Sequence, residues 1–452
     1  MPFKPYILAT DVLLWLLVAS AFAYAWYCQR RPHLASPWKR VFQSRAALIT
    51  SVVLTCFVVI GLADTLHFRP KLSGGDAYSP EVLSVLDLAL AGLRERREKT
   101  YSAPLATRLY AKEQVELPDG KVSREFPRLR HGGSHLKDEA GAAGDIAVKT
   151  LLGLAIGGVL AVPVFWFARR LKRRWPDVPW QAAATTLAVI LLIAAPVAVL
   201  AQGYHVLGTD KVGQDVLYQA LKSIRISLVI GTLTTLVLLP LGIALGVMAG
   251  YFRGWIDDAI QYLYTTLNSI PGVLLIAACV LMMQVFIDRH PEWFDTAAQR
   301  ADFRLLVLCA VLGLTSWTGL ARLLRGESLK LSQLEYIQAA HAFGVSDARI
   351  LGRHILPNVA HIVIITLVMD FSGLVLAEAV LSYVGVGVDP ATTSFGTMIN
   401  AARLEMGREP IVWWSLAAAF AFMFLLVLAA NLFADAVRDG FDPRVRVGTV
   451  PV

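Results

Sequence analysis

The sequence predicts an all-α membrane protein, a polytopic helical bundle of about nine transmembrane helices. Three observations carry that reading. Of the 452 residues, 56% are hydrophobic and only 17% charged, too apolar a balance for the surface of a water-soluble protein of that length. Nine stretches reach the roughly 20 apolar residues that cross a hydrocarbon core, where only a helix satisfies its own backbone. Lys and Arg gather in alternate short connections, the bias expected of cytoplasmic loops.

In chain order, residues 1–66 hold two N-terminal spans, at about 7–27 and 46–66. The first is apolar throughout and lacks the basic start and small-residue cleavage site of a signal peptide, so it is read as a span. Arg30, Arg31, Lys39, Arg40 and Arg45 separate the two and assign that loop to the cytoplasm. Residues 67–147 form a polar extracytoplasmic insert. Within it Ser79-Pro80-Glu81 reads as a helix start, with a capping side chain, proline at the first position and an acid in the first turn. An apolar stripe of Val82, Leu83, Leu86, Leu90 and Leu93 follows. Val115 to Val122 reads as a hairpin around Pro118-Asp119-Gly120. Gly132, Gly133, Gly141 and Gly144 then suit a flexible return to the membrane.

Residues 148–201 hold two further spans, at about 148–168 and 181–201. Arg169, Arg170, Lys172, Arg173 and Arg174 lie between them on the cytoplasmic side. After an extracytoplasmic loop at 202–226 come five spans within 227–446, at about 227–250, 267–286, 304–323, 359–383 and 411–433. Alternation puts the N-terminus outside and Arg253, the 332–358 connection and the C-terminus in the cytoplasm. The net charge of +8 is absorbed by this anchoring, so no nucleic-acid partner is implied. The four cysteines (Cys28, Cys56, Cys279, Cys309) have neither CxxC nor Cys/His spacing and read as packing residues. No G-x-x-x-x-G-K-[ST] loop occurs. No clustered His/Asp/Glu motif or paired nucleophile occurs either. No catalytic residue, cofactor or metal is therefore assigned.

The connection at 332–358 carries the sharpest pattern. Leu334, Ile337 and Ala340 supply the apolar side of a short helix running from Ser332 to Phe343. Ala339 and Ala340 keep one surface thin, and Gly344 suits the left-handed residue that ends a helix. Ser346 then caps a second helix, with Asp347 near its positive end. Arg349 and Arg353 share a face, and Pro357 ends that helix before the next span. Taken alone this is an ordinary helical hairpin between two spans. With Gln338-Ala339-Ala340, Gly344 and Leu356-Pro357 at these distances, it resembles the EAA loop of bacterial ABC-importer permeases. Glu335-Tyr336-Ile337-Gln338-Ala339-Ala340 is similar to the wording of peptide-type members, with glutamine where the name-giving glutamate stands. The resemblance implies that Gln338, Ala339, Ala340, Gly344, Leu356 and Pro357 seat in a cleft of an ATPase subunit.

A second stretch, His205 to Leu217, is turn-rich. Gly208 and Gly213 permit tight bends, while Asp210 and Asp215 are placed to accept backbone amides. It offers too few oxygen ligands for a calcium loop. Gly208, Thr209, Asp210, Gly213 and Asp215 resemble the Pro-Leu-Gly-Thr-Asp-x-x-Gly-Arg-Asp motif of dipeptide, oligopeptide and nickel importer permeases. Gln214 replaces the arginine. Arg225-Ile226-Ser227-Leu228, Gly250 to Asp257, Leu376 to Gly387 and Asp435 to Pro443 continue the match. Tyr262 and Thr265 stand where the family often has arginine and aspartate. The resemblance covers about 202–446 and implies a type I importer permease core, the second permease subunit of such a system, carrying an unusual N-terminal extension.

Asp370 and Glu378 lie in one apolar span. Each would cost roughly 2.5–3.5 kcal/mol at mid-bilayer facing lipid. Eight residues place them about 80° apart on a helix, so both can face the bundle interior, either in structural hydrogen bonds or on the translocation path. Pro240 and Pro271 read as helix kinks. The family reading gives a subunit of an ATP-driven importer for peptides or related solutes in a bacterial cytoplasmic (inner) membrane. Its implied partners are a homologous second permease, two ATP-binding ATPase subunits, an extracytoplasmic solute-binding protein and the lipid membrane. The alternative is an ion-coupled secondary transporter using Asp370 and Glu378, for which the expected inverted repeats with broken helices are not seen.

Overall fold

The computed structural model describes residues 3–71, 78–116 and 122–441. The N-terminal extension contains α1 (Ala9–Gln29), α2 (Pro32–Gln43) and α3 (Arg45–Asp64), then two short helices of the insert, α4 (Val85–Ala89) and α5 (Ala91–Glu95). A long hairpin follows, α6 (Ala142–Arg174) and α7 (Trp180–Leu200). The rest of the chain is α8 (Val216–Phe252), α9 (Gly254–Ser269), α10 (Gly272–Arg289), α11 (Ala297–Ser316), α12 (Thr318–Leu331), α13 (Glu335–Ala342), α14 (Asp347–Ile350), α15 (Leu356–Val384), α16 (Phe395–Glu405) and α17 (Trp414–Phe441). Among the described residues nine helical segments are long and apolar enough to span a membrane. They fall on the nine predicted stretches, so the protein is a polytopic helical membrane bundle.

Its two polar ends are defined by pairings distant in sequence. At one end β1 (Phe3–Tyr6) pairs antiparallel with β2 (His67–Pro70), Tyr6 opposite His67, and β2 pairs with β3 (Leu83–Ser84). This small sheet, a departure from an all-helical expectation, ties the N-terminus to the insert. β4 (Glu113–Glu116) and β5 (Val122–Glu125) form the expected hairpin; its Pro118-Asp119-Gly120 turn lies outside the described residues. At the other end Val41 of α2 packs on Val437 of α17. Asp442 and Pro443, the last of the predicted family stretch, also lie outside the described residues. These are called below the insert end and the basic end.

Within the insert the helix start differs from the sequence expectation. The cap of helix α4 lies five residues later than Ser79, at Ser84. There the Asp87 amide bonds Ser84 Oγ at 3.1 Å and the Ser84 amide bonds the Asp87 carboxylate at 2.9 Å. A reciprocal cap needs an acceptor three residues on. Ser84 has Asp87, whereas Ser79 has Val82. Leu90 then breaks the predicted stripe into two short helices.

Helix α8 is the mast of the core. At 37 residues it is about 55 Å long, well beyond one bilayer crossing. Pro240 lies inside it without ending it; Pro271, by contrast, precedes α10 and starts that helix rather than kinking it. Small residues let α12 close on α8. A Cβ on Gly246 would come within 2.6 Å of the Ala321 carbonyl, and one on Gly250 within 2.5 Å of the Arg325 carbonyl. Where lipid surrounds the helices, such close backbone approach is a main source of association.

Candidate functional site

At the basic end, α12 leads into the element singled out by its pattern. Helix α13 starts at Glu335, not Ser332, so Leu334 sits at the cap and is 42% exposed instead of packing inward. Ile337 does pack inward, with Ala340, against Val247, Leu320, Leu324, Ile350 and Ile355. The helix ends as expected: Gly344 adopts φ +75°, its amide bonds the His341 carbonyl at 3.0 Å, and the Val345 amide reaches back to Ala340 at 3.1 Å. The opposite face is turned outward. Gln338, Ala339 and Gly344 are exposed, and Phe343 is 87% exposed.

Two expectations about the second helix are corrected. Ser346 occupies the cap position but its side chain makes no capping bond; Asp347 instead accepts from Tyr251 of α8 at 2.6 Å. Pro357 does not end a helix. The chain runs on from α14 through a π-helical turn at Leu351–Ile355 into α15, with Pro357 in the first turn of α15. The wider turn tolerates an imino nitrogen that cannot donate, and Asn358 Nδ2 bonds the His354 carbonyl at 2.6 Å. Leu356 and Pro357 are exposed on this surface. Arg325 forks onto Asp257 of α9 with two 2.6 Å bonds, and these hold the Asp257 carboxyl below its usual range. Arg253 bonds Ser332 at 2.8 Å.

The predicted motif at the insert end is built in the opposite way. Gly208 and Gly213 both have φ +73°, and a Cβ on either would collide with a backbone carbonyl, of Ser102 or Glu98 respectively. Asp210 accepts from the amides of Val212 and Gln214 at 2.9 and 2.8 Å and from Gln219 at 2.7 Å. Asp215 caps α8 through the amides of Leu217 and Tyr218. Thr209 is fully buried: it receives the Ser102 amide at 2.7 Å, and its carbonyl receives Trp414 Nε1 at 3.0 Å.

His205 completes this joint. Its Nδ1 lies 2.7 Å from Asp215 and its Nε2 3.4 Å from Glu98 of the insert. Glu98 also accepts the amides of Arg130, His131 and Gly132. Burial pushes the Glu98 carboxyl up, but His205 and those three amides outweigh it and hold it at about 2. Burial pushes His205 down, but the two carboxylates lift it to about 9. The imidazolium is thus clamped between an acid of the insert and an acid of the motif.

A run of acids that the sequence reading passed over continues the same theme. Arg225 of α8 meets Asp11 of α1 at 2.7 Å and Asp302 of α11 at 3.9 Å. Asp302 takes the amides of Ala9 and Thr10 and the Thr10 hydroxyl. Lys222 meets Asp64 at 3.2 Å and Asp87 at 2.6 Å. Lys222, Arg225 and His205 lie on or just before α8, while Asp11, Asp64, Asp87 and Glu98 come from the extension. The signal for two of them was present: Asp11 and Asp64 are acids within or at the end of apolar spans, where a charge needs a partner.

The two acids of α15 differ. Glu378 is fully buried and accepts from Ser382 at 2.7 Å and Ser394 at 2.9 Å, its second oxygen lacking a partner among the described residues. Asp370 is half-buried and has no hydrogen-bond or ion-pair partner among the described residues.

The family described as binding-protein-dependent transport system inner membrane component matches residues 242–447. The chain is similar to the glutathione transport system permease protein of Pectobacterium atrosepticum, 35% identical over 244 residues that cover 54% of this chain and 73% of that protein. It is 31% identical to the oligopeptide transport system permease protein of Mycobacterium bovis over 242 residues, covering 54% and 77%. With the oligopeptide transport system permease protein of Haemophilus influenzae it shares 28% identity over 300 residues, covering 66% and 85%. The family match begins at 242, so α1 to α7 lie outside it.

Proposed function

The chain belongs to the binding-protein-dependent transport system inner membrane components, the permeases of ABC importers, and from that premise we propose that it forms one half of a translocation path for peptides or related solutes. The relatives named for glutathione and oligopeptide transport support that substrate class. In this reading a homologous permease supplies the other half and two ATPase subunits bind the nucleotide. A solute-binding protein delivers cargo at the insert end. The basic end faces the cytoplasm, with the C-terminus, and the N-terminus lies outside. Substrate-driven chemistry within this chain is not required.

The observation that carries the proposal is the outward face of α13. Gln338, Ala339, Phe343 and Gly344 stand exposed on a helix whose other face is anchored by Ile337 to α12 and α14. Leu356 and Pro357 extend that surface to the start of α15. A nucleotide-dependent movement of the bound ATPase would reach α8 and α15 through rigid packing and shift the population of inward- and outward-open states. The ion-coupled alternative is not supported by the family. Asp370, unpaired among the described residues, is the stronger candidate for the path, where it suits a peptide amine or cation; Glu378 already serves two hydroxyls.

The test is Gly344→Arg in the purified complex. A Cβ there meets nothing within 4 Å, but the +75° φ strains any side chain, so Ala339→Arg, on the exposed face within α13, places the same bulk toward a partner without that strain. Loss of the ATPase subunits, or of solute-stimulated hydrolysis, is expected. Retention of both overturns the docking assignment. Uptake into vesicles by this chain without ATPase partners overturns the importer reading itself.

A further inference from the structure

A cavity of about 1040 Å³ lies between the extension and the core. Its walls come from α3, α7, α8 and α17, all within candidate membrane spans, and α5 closes it at the insert end. The lining is apolar, typified by Phe57, Ile193, Leu221 and Phe422. Ile193 is 63% exposed, so the cavity reaches the lipid-facing surface of the bundle. Protein interiors are close-packed, and a void of this size, near the upper range of ligand pockets, calls for an occupant. Between membrane spans the occupant at hand is lipid.

One charge identifies which part of a lipid sits where. Arg96 lines the cavity at the insert end and donates to the carbonyls of Ala201 and Gln202, immediately after α7 ends at Leu200. Its guanidinium has no carboxylate partner among the described residues. It therefore stands where a span gives way to the interface, at headgroup level, with donors suited to a phosphate. The α6–α7 hairpin has α3 as its principal neighbour in the bundle, so a filler between α7 and α8 would complete its seat.

We propose that this cavity is a phospholipid site: an acyl chain lies between α7 and α8, and the phosphate is held by Arg96. The lipid is structural, a wedge that joins the extension to the core. The inference rests on the membrane fold and not on the proposed substrate or partners.

The experiment uses the full complex in nanodiscs made with phosphatidylglycerol and phosphatidylcholine. Native mass spectrometry after stripping loosely held lipid should show a retained phosphatidylglycerol on the wild type. At least fivefold less should remain on Ala198→Trp, which fills the cavity. Arg96→Gln should retain lipid but lose the preference for phosphatidylglycerol. A second measurement needs no variant: phosphatidylglycerol carrying a photoreactive acyl chain should crosslink to residues 53–60, 189–201 and 217–224. Equal retained lipid on wild type and Ala198→Trp, crosslinks confined to the outer face of α6, or capture of a partner protein's helix in the cavity would each overturn the proposal.

Discussion

The two stretches that match importer motifs are treated in opposite ways by the fold. At 208–215 the structural groups are turned inward: Thr209 and Asp215 are fully buried, both glycines abut backbone from the insert, and only Lys211 and Val212 at the turn are exposed. At 338–344 the anchoring residue Ile337 is buried while Phe343 is 87% exposed. Burial of polar groups demands that each find a partner, and that demand fixes the first stretch as a joint. Exposure of a large apolar ring on a firmly seated helix leaves surface free for another protein. The same family resemblance thus covers a weld at one end and, in the proposed function, a docking face at the other.

Breaking the weld should have the largest effect. Arg225→Met leaves Asp302 buried without its cation and Asp11 with His67 alone, 2.8 Å away, and stranding a buried charge costs about 3–5 kcal/mol. Thermal unfolding of the purified chain should show a large loss of stability; a melting temperature within error of wild type would mean that the network does not join α1 to α8. His205→Ala strands Glu98 and Asp215 in the same way and should release the insert to limited proteolysis, again by about 3 kcal/mol. Its pH dependence follows from the signs. His205 is raised from 6.5 to about 9, so its contribution is complete below 6.5 and is lost as pH rises through 9. Glu98 is lowered from 4.5 to about 2, so its contribution is complete above 4.5 and is lost as pH falls through 2. Protection of the insert should therefore be greatest between pH 4.5 and 6.5 and weaken toward 9. A flat profile from 6 to 10 would remove the imidazolium from the joint.

The same contrast explains what the sequence disclosed. The spans were legible because apolar length is a local property, and all nine stretches became helices. The turn at Gly344 was legible for the same reason. The joint was not, because Glu98 and His205 are far apart in the chain and share no periodic signal; only folding shows that one clamps the other. Helix α2 was missed because its stretch was read only as a basic loop between two spans; Pro32 sits in its first turn, where proline is tolerated. The course through Pro357 was missed because proline is expected to stop a helix, and the π-helical turn that admits it leaves no mark in composition.

A smaller effect sharpens the reading of the membrane acids. Glu378→Ala removes the acceptor of Ser382 and Ser394, and leaving buried hydroxyls unpaired costs about 1–3 kcal/mol. Stability should fall by that amount, with uptake falling in proportion to the folded complex. Uptake lost at unchanged stability would instead put Glu378 on the translocation path.

The smallest effect on stability belongs at the proposed docking face, and there the comparison is most exposed to refutation. Phe343 occupies the cap position of α13 with its ring in solvent, so Phe343→Ala removes no buried contact and should change unfolding free energy by less than about 0.5 kcal/mol. Its partner would feel the change far more, since an aromatic anchor buried on association commonly carries 2 kcal/mol or more of binding, roughly thirtyfold. Titration of the ATPase subunits against the reconstituted permease should show that weakening with the melting temperature intact. Unchanged affinity would leave the exposed ring without a function, and the contrast between the two ends would reduce to a difference in solvent access.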